Sequence, residues 1–88
     1  MIGFNESRFD DVLRFLMQSR SLRGPEDLSR LLKEKGREVT AEKITAHMEG
    51  REWVDASFPR WIAEGLDLNA WEMGLLAHAV AYGQVHPP

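Results

Sequence analysis

The segment EVTAEKITAHMEGRE, residues 38–52, decides the fold because it holds a complete short helix with its start and stop signals. Thr40 is a favoured N-cap residue, and Gly50 can adopt the left-handed conformation that commonly ends a helix. Between them, the 3.6-residue period separates two faces. The predicted inward face is Ile44, His47 and Met48, and the predicted outward face is Glu42, Ala46 and Glu49. We therefore expect a helix over residues 41–49 with two carboxylates on its exposed side.

Similar signals predict four more helices. The N-terminal signals are Asn5 for the first helix, Pro25 for the second, Asp55 or Ser57 for the fourth, and an Asn69–Glu72 capping box for the fifth. The predicted helices cover residues 6–20, 25–35, 41–49, 57–66 and 70–82, followed by a loose tail over residues 84–88. No segment alternates as a strand would, and none repeats. Residues 1–88 are therefore expected to form one all-α domain of five helices.

Length and composition limit the classes of protein to consider. A chain of 88 residues hides roughly 60% of its unfolded surface, which is enough for one modest core. Without cysteine, the chain can form neither a disulfide nor a thiolate metal site. The N-terminus lacks a basic start followed by an apolar run, and the stretch GLLAHAVAYG is too short to span a bilayer. We expect a cytoplasmic protein with no membrane partner.

The charges are distributed unevenly along the chain. The net charge is −3, which is mildly unfavourable for binding nucleic acid. All 11 basic residues lie between Arg8 and Arg60, whereas residues 61–88 contain only acidic charges. The predicted C-terminal end is therefore acidic, and any positive potential must come from the first two thirds of the chain.

The sequence contains no motif that indicates an enzyme. It lacks an H-E-x-x-H pair, a phosphate-binding loop and a nucleophile with a base at a recognisable spacing. His47 is more simply a partly buried core residue than a metal ligand, because neither His78 nor His86 stands at metal-ligand spacing from it. We expect no catalytic residue, no metal and no cofactor.

From about Asp10 to Ala79, the chain resembles the helix-turn-helix domains of the lambda-repressor and Cro superfamily, often called XRE-type regulators. The resemblance rests on PEDLSRLL (25–32), VTAEKITAHMEGRE (39–52) and FPRWIAEGLDLNAWE (58–72). The family's motif positions are occupied here by Leu28, Ser29, Thr40, Ile44, His47, Met48 and Gly50. The resemblance implies a five-helix, lambda-repressor-like DNA-binding domain in which helices 2 and 3 form the helix-turn-helix. It also implies sequence-specific binding of double-stranded DNA by a transcriptional regulator.

On this resemblance, the third helix lies in the major groove. Glu42 could accept a hydrogen bond from cytosine N4, while Thr45 and Ala46 could contact a thymine methyl group. Lys43, Arg51 and the N-terminal end of the helix would position phosphates, which would make binding salt-sensitive. The predicted DNA-binding residues are Thr40, Ala41, Glu42, Lys43, Thr45, Ala46, Glu49, Arg51 and Arg37.

Two departures from the family pattern favour an alternative. Leu28 and Val39 are eleven residues apart where the family usually has about six, and Pro25 stands where many members have a glutamine that contacts DNA. The spacing affects the crossing geometry of the two helices. The missing glutamine, the carboxylates on the third helix and the negative net charge suggest a helix-turn-helix scaffold that binds a protein partner and no DNA. The outward residues could then form an ordinary solvated helix face.

The fifth helix carries apolar residues on more than one face and therefore suits two partners. One partner is the core of its own domain, and the other could be a second copy, giving a homodimer whose third helices lie about 34 Å apart. The predicted dimerisation residues are Trp71, Leu75, Leu76, Val80 and Tyr82. Alternatively, these residues are the ordinary apolar surface that small domains leave exposed.

Overall fold

The computed structural model describes residues 8–84, and within that range the chain folds into five α-helices without a strand. The helices are α1 (Phe9–Gln18), α2 (Pro25–Glu34), α3 (Ala41–Met48), α4 (Ser57–Leu66) and α5 (Ala70–Tyr82). The all-α prediction is confirmed. α4 and α5 have the predicted bounds, whereas α2 and α3 each end one residue earlier than predicted. The predicted first helix, residues 6–20, is too long at both ends, because Arg8 is extended and α1 runs from Phe9 to Gln18. The predicted Asn5 cap and the tail over residues 85–88 lie outside the described residues.

Side-chain caps fix where α3 and α5 begin. Thr40 Oγ1 accepts a hydrogen bond from the Lys43 amide at 3.1 Å. Asn69 and Glu72 form the reciprocal capping box, in which the Glu72 amide donates to Asn69 Oδ1 at 2.8 Å and the Asn69 amide donates to Glu72 Oε1 at 3.0 Å. These bonds satisfy amides at the helix start that have no partner within the helix. Both predicted caps are confirmed.

Helices α1 to α4 end in the same way. Each is followed by a residue with positive φ: Ser21 (61°), Gly36 (84°), Gly50 (78°) and Asp67 (52°). The amide after each of these donates to a carbonyl five residues earlier, as from Arg37 to Leu32 at 2.9 Å. This is the Schellman pattern, which satisfies carbonyls that the helix leaves free. Local sequence therefore ends these helices and sets the direction in which the chain leaves them.

The helices pack around one core. α1 lies against α5 and α3, α2 against α3 and α4, and α4 against α5. The fully buried large side chains are Phe9, Val12, Leu13, Leu16, Leu28, Leu32, Ile44, Ile62 and Leu76. Burying each of them stabilises the fold by roughly 1.5–3 kcal/mol. α4 approaches α2 closely at Gly65, where a Cβ atom would lie 2.8 Å from Leu32 Cδ2. The absence of a side chain at Gly65 therefore sets the distance between these two helices.

The two ends of the described chain are held to the core. The Phe9 amide donates to the Gly83 carbonyl at 3.1 Å. Gln84 Oε1 accepts from the Val54 amide at 2.7 Å, while Gln84 Nε2 donates to the carbonyls of Val54 at 3.2 Å and Val80 at 3.0 Å. The prediction of a loose tail is thus wrong at Gln84. The side-chain amide of Gln84 satisfies the backbone N–H and C=O of Val54. Val54 is only 2% exposed, and buried backbone groups need such partners.

Within residues 8–84, no helix is both long enough and apolar enough to cross a membrane. In the same range, no group of three or more histidine, aspartate or glutamate side chains could hold a metal ion.

Candidate nucleic-acid interface

The inward face of α3 differs from the prediction at one position. Ile44 and His47 are buried as expected, and Met48 is half-buried. Ala46, predicted to face outward, is only 5% exposed. The prediction of an exposed Ala46 is wrong: the chain after α3 turns back beside this residue, where the amides of Arg51 and Glu52 donate to the Ala46 carbonyl at 2.8 and 3.3 Å. Ala46 cannot reach a base in the groove from this position.

The rest of the predicted DNA-binding set remains on the surface. Its exposed members are Thr40, Glu42, Lys43, Glu49 and Arg51, and its half-buried members are Ala41, Thr45 and Arg37. Ala41, Glu42, Thr45 and Arg51 form a strip beside the N-terminal end of α2, with Glu49 paired to Arg51, whereas Arg37 lies toward α4 beside Glu64. The strip is narrower than predicted and carries two carboxylates.

Each cation expected to contact phosphate already has a carboxylate partner. The ion pairs are Lys43 Nζ with Glu52 Oε2 at 2.8 Å, Arg51 Nε with Glu49 Oε1 at 2.8 Å, and Arg37 Nη2 with Glu64 Oε1 at 3.5 Å. The hydrogen bond that Lys43 donates to Glu52 raises the pKa of Lys43 and lowers the pKa of Glu52. All three pairs are exposed, so each is weak and open to exchange with another anion.

A cleft of about 660 Å³ lies between α1 and the adjoining ends of α2 and α3. We call it the arginine cleft, because Arg8, Arg14 and Arg23 line it opposite Thr45 and Glu49 of α3. The side chains of Arg8 and Arg14 are 51% and 50% exposed and pair with nearby aspartates. Arg23 has no carboxylate partner for its guanidinium among the described residues. Local positive charge therefore lies on the side of α3 that faces α1, where the sequence did not predict it.

Sequence reasoning missed these three arginines because no periodicity groups them. Arg8 precedes α1, Arg14 lies within it and Arg23 follows it, so only the packing of α1 against α3 brings them together. A concentration of arginine before residue 24 was the only signal available.

Thr45 occupies the centre of the surface. A second concavity of about 410 Å³ lies on its other side, lined by Pro25, Glu26, Ala41, Glu42, Thr45 and Arg51. Thr45 and Pro25 line both this concavity and the arginine cleft. The N-terminal end of α2 and the outer side of α3 therefore belong to one surface.

The predicted dimerisation residues on α5 divide into two groups. Trp71 is 62% exposed and Tyr82 is 79% exposed, while Leu75 and Val80 are half-buried. Leu76 is only 2% exposed, so its assignment to a dimer interface is wrong. It belongs to the core because α5 turns this side toward α1 and α4.

The exposed residues of α5 form a surface without acidic or basic side chains apart from one histidine. We call it the uncharged face of α5: Ala70, Trp71, Met73, Gly74, Ala77, His78, Ala81 and Tyr82. The Trp71 ring is held edge-on by Phe15 of α1, with centroids 6.4 Å apart and an interplanar angle of 84°. The His78 and Tyr82 rings lie 5.1 Å apart. The face therefore presents aromatic rings already positioned by their neighbours.

No protein-family model matches the chain, and no curated protein or solved structure matches it either. What the chain does must therefore be inferred from the chemistry of its surfaces.

Proposed function

We propose that the chain binds double-stranded DNA as a sequence-specific transcriptional regulator, with α3 in the major groove. The arginine cleft carries the proposal. It sets Arg8, Arg14 and Arg23 beside Thr45, so phosphates could lie along the arginines while α3 faces base edges. Asp10 and Asp11 pair with Arg8 and Arg14, and Glu49 pairs with Arg51, so Arg23 is the cation of the cleft whose guanidinium has no carboxylate partner among the described residues. A local positive balance allows phosphate binding despite the net charge of −3.

We further propose that α2 and α3 form a helix-turn-helix of the lambda-repressor type. The two helices pack together, and Pro25 at the start of α2 shares the surface with Thr45. Residues 35–40 connect them, which is longer than the three- to four-residue turn usual for this motif. The additional residues follow the turn at Gly36, where the chain has φ of 84°.

The proposed roles within the surface follow from exposure. In this proposal, Glu42 accepts a hydrogen bond from cytosine N4, and Thr45 contacts a thymine methyl group. Lys43 and Arg51 would contact phosphate only by exchanging their present carboxylate partners. Phosphate positioning is therefore assigned first to the arginine cleft. In this proposal the protein binds its target without catalysis, cofactor or metal, in the cytoplasm.

A homodimer through α5 completes the DNA-binding proposal. The uncharged face of α5 can meet a second copy without burying an unpaired acidic or basic charge, which would be costly. A two-fold interface places the same residues of both copies opposite one another, with Trp71 and Tyr82 as its largest anchors. Such a pair would present two α3 helices to a palindromic site.

The ion pairs on α3 favour a second candidate function, a protein–protein interaction module that does not bind DNA. Lys43, Arg51 and Arg37 are each neutralised within the chain, which leaves the strip around α3 without net attraction for phosphate. In that case, the uncharged face of α5 is the surface for a protein partner.

Titration of labelled random duplex DNA at two salt concentrations separates the two functions. If the chain binds DNA, affinity is highest at about 20 mM salt and falls steeply toward about 150 mM, because phosphate contacts release counterions. Arg14→Ala and Arg23→Ala should each weaken binding to all sequences and reduce the salt slope by about one. Arg60→Ala is the matched control, because it removes the same charge from a different concavity, between α4 and α5. Absence of binding at about 20 mM salt supports the interaction module.

A further inference from the structure

A third cleft, of about 440 Å³, lies between the N-terminal half of α3 and the start of α4. We call it the tryptophan cleft, because Trp53 and Trp61 line it together with Phe58, His47, Glu38 and Asp55. Its volume falls in the range of about 300–1,000 Å³ that holds small molecules in proteins. It shares no lining residue with the arginine cleft. Of the residues predicted to contact DNA, only Thr40 and Lys43 line this cleft, so the proposed DNA surface does not account for its aromatic side chains.

Aromatic rings supply the apolar part of the tryptophan cleft. His47 and Phe58 lie against each other, with centroids 4.7 Å apart and planes tilted by 41°. The Arg37 guanidinium lies 5.4 Å from the centre of the Trp61 ring. The face of an indole ring attracts cations, and Trp61 holds a guanidinium in this way although Arg37 itself does not line the cleft.

Hydrogen-bond acceptors are available in the same cleft. His47 Nδ1 lies 3.2 Å from the Glu52 carbonyl oxygen, which can only accept. In the neutral imidazole, Nδ1 therefore carries the proton and Nε2 keeps a lone pair. Asp55 Oδ1 accepts from the amides of Ser57 and Phe58 at 3.0 and 3.3 Å, which settles Asp55 as the cap of α4. The second oxygen of this carboxylate makes no bond within the described part of the chain.

The charge balance of the tryptophan cleft favours a cation. Lys43 also lines it, but Glu52 offsets that charge at 2.8 Å. The helix ends at the cleft are both capped, α3 by the Thr40 hydroxyl and α4 by the Asp55 carboxylate. Glu38 is exposed and has no basic partner among residues 8–84. Glu38 and Asp55 therefore present two carboxylates to a ligand in the cleft that the two tryptophans also line.

We propose that the tryptophan cleft binds a small planar organic cation of the amidinium or guanidinium class. The cation stacks against the indole rings and donates hydrogen bonds to Glu38 and Asp55. Charge-assisted hydrogen bonds and ring stacking together select a planar cation over a neutral molecule of the same shape. This proposal does not depend on the proposed DNA binding, and the experiment that tests it contains no DNA.

Benzamidine and benzamide are suitable probes, because they are nearly the same shape and differ in charge at neutral pH. Each is titrated into the isotopically labelled full chain while the indole N–H signals of the three tryptophans are followed by NMR. Benzamidine should shift the Trp53 and Trp61 signals and leave Trp71, which lies on α5, unchanged. It should reach half-saturation at a concentration at least about tenfold lower than benzamide. Equal shifts with benzamide, or benzamidine shifts confined to Trp71, contradict the proposal.

A double variant, Glu38→Gln with Asp55→Asn, removes both charges and keeps the side-chain shapes. Asparagine caps helices about as well as aspartate, so α4 should still form. The preference for benzamidine should fall to within about twofold of benzamide. The control is Glu34→Gln with Asp67→Asn, which removes two carboxylates outside the cleft and should preserve the preference. A double variant at Glu38 and Asp55 that binds benzamidine as tightly as the unmodified chain rules the site out.

Discussion

Arg20 and Glu72, 52 residues apart, form a bidentate ion pair in which both nitrogen–oxygen distances are 2.7 Å. Arg20 Nε also donates to the Leu66 carbonyl at 2.7 Å, and the Glu72 carboxylate accepts from the Asn69 amide at 3.0 Å. The two side chains are 25% and 11% exposed. One guanidinium therefore joins the end of α1, the end of α4 and the first turn of α5.

Replacing Glu72 by glutamine should destabilise the fold strongly. The change leaves the Arg20 guanidinium partly buried without its counter-charge, and removing one partner of such a pair costs about 3 kcal/mol. Urea denaturation would measure the loss in free energy of unfolding. Asp11→Asn is a suitable control, because its pair with Arg14 is exposed and its loss should cost less than about 1 kcal/mol. Similar losses for the two variants would show that the Arg20–Glu72 pair has no special role.

The same pair should make stability depend on pH in acid. The hydrogen bond from Arg20, followed by that from the Asn69 amide, lowers the pKa of Glu72 from 4.5 to about 2. A lowered folded-state pKa means that the contribution is complete above about pH 4.5 and is lost as the pH falls toward 2. The difference in unfolding free energy between the unmodified chain and Glu72→Gln should therefore shrink across this interval. A difference that stays constant down to pH 2 would contradict the assignment.

Two glycines inside helices should respond to alanine in opposite directions. Gly74 faces open space on α5, so Gly74→Ala should stabilise the fold by about 0.5–1 kcal/mol through helix propensity. At Gly65 the new methyl group would lie 2.8 Å from Leu32 Cδ2, in a core where Leu32 is fully buried. Gly65→Ala should therefore lower stability by about 1–3 kcal/mol. Thermal or urea unfolding at low protein concentration would measure the stability of both variants. Equal stabilisation by the two substitutions would contradict close packing of α4 on α2.

Releasing Lys43 from Glu52 should strengthen DNA binding if α3 faces a duplex. Glu52→Gln removes the carboxylate that holds the ammonium at 2.8 Å and frees it for a phosphate. Affinity for random duplex at low salt should rise by about threefold or more, with a salt slope steeper by about one. Glu64→Gln is an informative control, because it frees Arg37, which lies at the α4 side. If Glu52→Gln leaves affinity unchanged in a chain that binds DNA, another surface makes the contacts.

Truncating Trp71 should convert a dimer into monomers. The indole is 62% exposed on the uncharged face of α5, so Trp71→Ala removes a large anchor while leaving the core intact. Light scattering coupled to gel filtration would show the change in mass. Trp53→Ala removes another exposed indole outside α5 and should leave the mass unchanged. Leu76→Glu is not a valid interface test, because this fully packed position would unfold the domain. A monomeric unmodified chain at high micromolar concentration would exclude the dimer.

Local sequence predicted the helices well because their boundaries depend on neighbouring residues. Thr40, Asn69, Gly36 and Gly50 act within one turn of their own helix, and the structure places boundaries beside each of them. Asp55 and Ser57 could not be distinguished as caps from their spacing, since both precede α4. The hydrogen bonds of Asp55 resolve that choice.

The surfaces were less predictable because they depend on how helices pack. The helical period predicted that Ala46 faces outward, but it is only 5% exposed, and the chain after α3 turns back to bond its carbonyl. The arginine cleft combines residues from before, within and after α1. The Lys43–Glu52 pair crosses the turn after α3, whose path the helical period does not describe. Helical periodicity assigns faces to one helix, whereas the number of covered faces depends on the other helices.

The hydrogen bond between Phe9 and Gly83 has a consequence for synthesis. The first helix of the described chain packs against the last, so α1 lacks this partner until α5 has been synthesised. A nascent chain still missing α5 leaves apolar side chains of α1 uncovered. We therefore expect the domain to close in one late step, after residue 83 has left the ribosome.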